Sequence, residues 1–489
     1  MARVRALGAR GRRFESALPD KSFWLHSVRI IHMRLISFLT ALFVFSYLFT
    51  SKTIAVYEPA SVPNNRFGIH IIDPVDLEDA SALVNSSSGD WGYVTLVITQ
   101  TQRDTKRWQE VFDRARRLHL IPILRVATKP LGDIWEKPSL GDIDGWVSFF
   151  NSLNWTTKNR YVIIGNEPNH AKEWGGEINP EEYGVYLDEF AAKLKGASAD
   201  YYVLPAGFDA SAGNSKETLD EVAFLRRLLA AKPELFTHID GWASHSYPNP
   251  AFSGPENGFG RGSVRTYDWE LSVLKGLGVS KELPVFITET GWAHNGNTDK
   301  VGQKFSFAYQ NAWNDKRVVA VTPFVLSYSE PLFETFSWRS KDGNFYGFYS
   351  EVQSLTKTRG EPLQDDRGKI MAVFVSPVHT IDSVFSGIVL VKNEGQAIWS
   401  KEELSLTLDG VPAIKTESSF ALMEPNSVGL MTFSAQAPQE SGLRLKSVSL
   451  TRLGKPVTDS SYFQLFTISP IRMKTESFFG TILRFVTGL

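Results

Sequence analysis

The chain has 489 residues, 43% of them hydrophobic, a net charge of -1 and no cysteine. That length and apolar content suffice for a large core and a second module. A pI near 6.8 leaves no basic excess for nucleic acid, and the missing cysteines exclude disulfides and cysteine-ligated metals.

Residues 1–34 form a basic N-terminal tail, with Arg3, Arg5, Arg10, Arg12, Arg13, Lys21, Arg29 and Arg34 set against Glu15 and Asp20. The uncharged apolar run inside residues 35–52 is short for a bilayer-spanning helix of roughly 20 residues and long for a signal-peptide core of about 7–15. It is read as a signal peptide core or a membrane anchor. Both readings send the chain beyond residue 52 across the membrane, because basic flanks stay in the cytoplasm. The expected location is extracytoplasmic: secreted after cleavage at Thr53-Ile54-Ala55, or membrane-attached through this segment if it is uncleaved. Residues 53–65 read as a linker.

Over residues 66–350 an apolar strand, a polar loop and a helical stretch recur. The predicted strands are Phe67–Ile72, Tyr93–Ile98, Ile121–Val126, Tyr161–Ile164, Tyr201–Ala206, Ile239–Ala243, Val285–Thr288 and Val318–Phe324. Predicted helices include Lys106–Arg117, Pro180–Lys195, Lys216–Ala230 and Tyr267–Leu277, the second opening on Asn179-Pro180-Glu181-Glu182, an N-cap with an acidic first turn. Eight such repeats imply an α/β fold, a (β/α)8 TIM barrel. Gly258-Phe-Gly260-Arg-Gly262 has the wrong spacing for a dinucleotide fingerprint and reads as a flexible loop. No cofactor is implied, and no His/Asp/Glu set has metal-ligand spacing.

From residue 351 the helical rhythm stops. Residues 351–374 read as a linker, and residues 375–470 as an immunoglobulin-like β-sandwich whose short strands are separated by Asn, Gly, Asp and Pro. Its Asn393-Glu-Gly395 turn is followed by Trp399. The last segment, 471–489, places Phe478, Phe479, Ile482, Leu483 and Val486 on one face of an amphipathic helix, suited to docking on the protein body or to a membrane surface.

Two predicted strands end on a carboxylate. Tyr161 to Ile164 runs into Gly-Asn166-Glu167-Pro, and Val285 to Thr288 runs into Glu289-Thr-Gly-Trp292. In a barrel, side chains at the C-terminal strand ends converge on one rim. Two facing carboxyls are what acetal hydrolysis needs: one protonates the leaving oxygen, and the other attacks or stabilises the oxocarbenium-like carbon. Strands four and seven lie on opposite sides of a narrow barrel, so a separation of about 5 Å, the retaining geometry, is expected. Mutual repulsion favours one ionised carboxyl facing one protonated one. His245, Tyr247, Trp338, His70 and Arg125 fall on the same predicted rim.

The stretch Phe67 to Tyr349 resembles the large clan of retaining glycoside hydrolases with TIM barrels, in which an Asn-Glu pair ends strand four and a Glu ends strand seven. Asn166-Glu167 and Glu289 match that pattern. The resemblance implies Glu167 as acid/base, Glu289 as nucleophile and Asn166 as the group that binds the sugar 2-hydroxyl. It also implies Tyr247 as the tyrosine that orients the nucleophile and Trp338 as the tryptophan under the sugar ring. Arg125 and His70 are looser matches. His245 and Trp292 complete the expected substrate-binding set. The function expected is cleavage of β-glycosidic bonds in a polysaccharide or oligosaccharide by double displacement, with carbohydrate as the partner. A non-catalytic glycan-binding protein on the same barrel and a transglycosylase are the alternatives.

Overall fold

The computed structural model describes residues 56–331 and 333–471. The basic tail, the 35–52 segment and the amphipathic face from Phe478 to Val486 lie outside them. Among the described residues no helix is long and apolar enough to cross a membrane.

Eight parallel strands form the first module: β1 (Gly68–Ile71), β2 (Gly92–Thr99), β3 (Leu120–Ala127), β4 (Arg160–Ile164), β5 (Tyr201–Pro205), β6 (Trp242–His245), β7 (Val285–Glu289) and β8 (Val318–Val321). Two further junctions close the ring. Asp240 joins β6 to β5, its amide donating to the Val203 carbonyl at 2.9 Å and its carboxylate accepting from the Val203 amide at 2.8 Å. At the other junction the Val321 amide donates to Arg66 at 2.9 Å and the His70 amide to Pro323 at 3.0 Å.

One helix follows each strand: α1 (Leu77–Val84), α2 (Thr105–Arg117), α3 (Ile143–Asn151), α4 (Pro180–Ala197), α5 (Glu221–Ala231), α6 (Thr266–Gly276), α7 (Thr298–Phe307) and α8 (Gly347–Ser354). The module is a (β/α)8 barrel. Local chemistry sets the helix starts. Asn179 caps α4 by accepting from the Glu182 amide at 3.1 Å. The helix expected from Lys216 starts only at Glu221, because Asp220 is the residue that caps it, accepting from the Ala223 amide at 3.0 Å.

Strand alternation fills the lumen. Inward positions on four strands supply Tyr93, Tyr161, Tyr202 and Phe286, a buried aromatic layer with ring centroids 5.1 to 6.4 Å apart. Further along β3 the inward series Ile121, Ile123 ends on Arg125, and along β6 Ala243 is followed by His245. The aromatic floor therefore carries a polar layer toward the C-terminal ends of the strands.

The second module begins earlier than expected, since its first strand lies inside the stretch read as linker. Strands β9 (Gly368–Val375), β10 (Val384–Asn393), β13 (Val428–Gln436) and β12 (Lys415–Ser418) make one sheet in that spatial order. The other holds β15 (Lys455–Ser469), β14 (Gly442–Arg452) and β11 (Leu404–Leu408), with short strands at both edges. Their inner faces enclose a core that includes Val389, Trp399, Leu406, Met431 and Leu450. The Asn393-Glu-Gly395 turn is what meets the barrel. Asn154 donates to the Gly395 carbonyl at 2.9 Å, Gln396 donates to the Thr157 carbonyl at 2.9 Å, and Arg117 pairs both nitrogens with Glu424. On the barrel side, α8 runs on to Ser354, past the expected boundary at 350.

Candidate active site

Glu167 follows β4 with a left-handed backbone, φ +31°, a conformation that is strained for a residue with a Cβ. Backbone hydrogen bonds hold it there: its amide donates to the Gly207 carbonyl at 3.0 Å and its carbonyl accepts from the His170 amide at 2.8 Å. The result is a carboxylate turned into the barrel mouth instead of capping a helix. Glu289 ends β7 directly, with its side chain 12% exposed.

His245, at the end of β6, lies between the two. Its Nδ1 is 3.0 Å from Oε1 of Glu167 and 3.9 Å from Oε2 of Glu289. Glu289 is held at both oxygens. The Tyr247 hydroxyl donates to Oε2 at 3.0 Å, and Arg125 donates a charge-assisted hydrogen bond to Oε1. The same Arg125 nitrogen donates to Oδ1 of Asn166 at 2.7 Å, and the Asn166 side chain also hydrogen-bonds the Glu173 carboxyl. His70 stands 4.0 Å from Oε1 of Glu289, fully buried, with its ring edge-on to Phe324.

The electrostatics divide the roles. Burial pushes the Glu289 carboxyl up, but His245, Arg125, His70 and the Tyr247 hydroxyl outweigh it and hold the group at about 2. Burial, with Arg125 beside it, draws His70 down to about 3, so that above this pH His70 is neutral and lends Glu289 no charge. Burial also pulls His245 down, yet the carboxylates of Glu289 and Glu167 prevail and its pKa lies above the ordinary value. At neutral pH the site holds an ionised Glu289 beside the Arg125 guanidinium, with His245 shifted toward its charged form.

Glu167, Glu289, Asn166, Arg125, His245 and Tyr247 thus meet in one cluster, while three expected ligand contacts are corrected. Trp338 is 1% exposed, packed between Phe305 and Phe348 with centroids 4.9 and 5.2 Å away, so no sugar ring can stack on it. Trp292 is 3% exposed, its indole N–H donating to the Gly254 carbonyl at 2.8 Å. Both are core residues behind the rim. His70, with no exposed surface, reaches Glu289 and cannot reach a ligand.

The exposed aromatic at the rim is instead Phe252, 37% exposed, which sequence reasoning missed; its ring lies 5.1 Å from that of Tyr247, with the buried Phe336 5.8 Å from the same tyrosine and Phe324, also buried, 6.3 Å from Phe336. Phe252 belongs to the Gly- and Pro-rich loop after β6, whose aromatics carry no periodicity to mark which face they serve. Glu173, in the turn after β4, lines a cavity with Arg125, Asn166 and Trp135. Its carboxyl is pushed up by burial and then by the charge of Glu167. Its sequence neighbourhood gives no signal beyond proximity to Glu167.

No family model matches this chain, and no curated protein matches it. Among solved structures it is similar to an endo-β-1,3-glucanase from Sorangium cellulosum, at 14% identity and a TM-score of 0.41 over 60% of this chain and 98% of that one. It is similar to a monomeric β-xylosidase from Caulobacter crescentus, at 13% identity and a TM-score of 0.42 over 77% of this chain and 98% of that one. A family 51 α-L-arabinofuranosidase from Bifidobacterium longum gives 11% identity and a TM-score of 0.40 over 78% and 98%.

Proposed function

We propose that this chain is a glycoside hydrolase that cleaves a β-glycosidic bond of a polysaccharide or oligosaccharide with retention of configuration. The observation that carries the reading is the His245 bridge. Its two distances, 3.0 and 3.9 Å, limit the gap between Oε1 of Glu167 and Oε2 of Glu289 to about 6.9 Å, near the ~5–5.5 Å of retaining pairs and below most of the ~6.5–9.5 Å inverting range.

In the first step an oxygen of Glu289 bonds to the anomeric carbon as the bond to the leaving oxygen breaks, and Glu167 gives that oxygen its proton. In the second, Glu167 takes a proton from water, the water oxygen bonds to the anomeric carbon, and the ester to Glu289 breaks. Asn166, braced by Arg125, offers its amide to the sugar 2-hydroxyl. His245 keeps the Glu167 carboxyl oriented toward Glu289 throughout. Residues 1–52 support an extracytoplasmic placement of the barrel, and the mass of the mature protein tests whether they are removed.

The test is hydrolysis of aryl β-glycosides and of plant, fungal and bacterial polysaccharides by wild type, Glu167→Gln and Glu289→Ala. Both variants should fall by at least about 10³-fold. Azide should rescue Glu289→Ala and yield an α-glycosyl azide; a β-azide from Glu289→Ala, with an α-azide from Glu167→Ala, would exchange the two roles. Normal glycan binding with no turnover by wild type would replace the proposal with a non-catalytic binding protein.

A further inference from the structure

The outer face of the sandwich carries an apolar patch with no partner among the described residues. On β14 and β15, odd-numbered positions from 443 to 449 and from 461 to 467 point outward. Leu443, Leu445, Phe463 and Leu465 there are 66%, 62%, 67% and 51% exposed. Register makes them contiguous: Leu445 pairs with Leu465, and Phe463 sits beside it opposite Ser447. Four side chains so exposed leave on the order of 400 Å² of apolar surface, a size that marks interaction sites on soluble proteins.

We infer that this patch is the docking site of the chain's own C-terminal segment, with the Phe478, Phe479, Ile482, Leu483 and Val486 face of residues 472–489 laid across β14 and β15. Connectivity, reach and length agree. The strand that carries Phe463 and Leu465 is also the one that leads into the segment, ending at Ser469 two residues before the exposed Ile471. The intervening stretch from 472 to 477 spans up to about 20 Å extended, enough to turn back over the sheet. Nine residues, 478–486, would span about 13 Å as a helix at ~1.5 Å per residue, and the patch, four residue steps along a strand, is also about 13 Å at ~3.3 Å per step.

The chemistry of the rim favours a protein segment over a lipid surface. Membrane-binding faces of this size are fringed with Lys and Arg. Here the outward positions continuing the two strands are Ser447, Ser449, Ser461 and Thr467. On β14 the basic residues beside the patch are turned away and paired, Arg444 with Glu440 and Lys446 with Asp409.

Hydrogen exchange of the full chain, read by mass spectrometry, tests the inference. Amides in 478–486 should exchange at least about 10-fold slower than an unstructured chain, and the Leu445→Asp/Leu465→Asp double variant should lose that protection while barrel peptides keep theirs. Both substitutions are on exposed positions, so unchanged barrel protection certifies the fold. Exchange of 478–486 at the unstructured rate in wild type would overturn the inference, as would protection that survives the double variant. Protection that appears only with vesicles of anionic lipid would assign the patch and segment to a membrane surface, and protection that rises with protein concentration would assign them to a second copy; either result overturns intramolecular docking.

Discussion

The Tyr247 hydroxyl donates to Oε2 of Glu289 at 3.0 Å, on the oxygen opposite the one that Arg125 holds. A carboxylate fixed at both oxygens has lost its rotational freedom before any substrate arrives, and that loss is part of what a near-attack geometry requires. The same two contacts favour the charged form over the neutral one. Orientation and ionisation of the proposed nucleophile therefore have a common origin.

Removing the phenol separates these effects. In Tyr247→Phe the Glu289 carboxyl, held at about 2 in the wild type, loses a hydrogen bond to its charged form. Such a bond is worth ~1.5–3 kcal/mol, so the acidic limb of the kcat/KM profile should move up by about 1–2 pH units. The profile of the variant on an aryl glycoside measures this. A lower plateau with an unmoved limb would mean that Tyr247 positions substrate and leaves the ionisation of Glu289 alone.

Arg125 and Glu289 form a largely buried ion pair, 13% and 12% exposed at their side chains. Breaking it from one side leaves a buried charge held only by the Tyr247 hydroxyl at 3.0 Å and the more distant His245 and His70 rings. Arg125→Met should therefore destabilise the fold by about 3–5 kcal/mol. Adding Glu289→Gln to that background should recover a large part of the loss, because the stranded charge is gone. Denaturant unfolding of the two single variants and the double variant gives the coupling, and strict additivity would show that the pair does not interact.

The burial of Trp338 makes the opposite forecasts for two aromatic residues. Trp338→Ala should cost about 3–5 kcal/mol of stability through a cavity between Phe305 and Phe348, with KM of the folded fraction unchanged. Phe252→Ala, on the loop after β6 and packed against Tyr247, should raise KM at a smaller cost in stability. Melting curves and Michaelis constants on one substrate decide the matter; a raised KM in Trp338→Ala alone would return that residue to the ligand surface.

What the sequence made legible was whatever leaves a periodic or positional trace. Alternation with helices exposed the eight strands, and a carboxylate placed at the end of an apolar run exposed Glu167 and Glu289. Trp338 misled because proximity to strand eight says nothing about which side of the rim a ring faces. Three-dimensional closure by Phe305 and Phe348, on the two flanking helices, decides that. Phe252 and Phe336 escaped for the converse reason, since loop aromatics have no register. The start of the sandwich at Gly368 was hidden because β9 comes after a stretch with no turn signal strong enough to separate it from a linker.

Away from the rim, a second carboxyl pair should govern how stability varies with pH. Glu221 on α5 and Glu270 on α6 are both fully buried behind β6, where the Trp242 indole donates to Glu270 at 3.0 Å. Burial raises both carboxyls well above an ordinary 4.5, Glu270 to about 7, and the charge of Glu270 adds to the rise at Glu221. A folded-state pKa above the unfolded one means that the folded protein binds more protons between the two values. The stability this contributes is complete below about pH 4.5 and is lost as pH rises through about 7. Glu270→Gln keeps an acceptor for Trp242 and removes one of the two titrating groups. Its Tm relative to wild type should therefore rise across pH 5 to about 8 and level off above, and adding Glu221→Gln should enlarge the change. Thermal melts of the three proteins over that range test it, and a Tm difference that stays constant with pH would show that the pair ionises alike in the folded and unfolded chains.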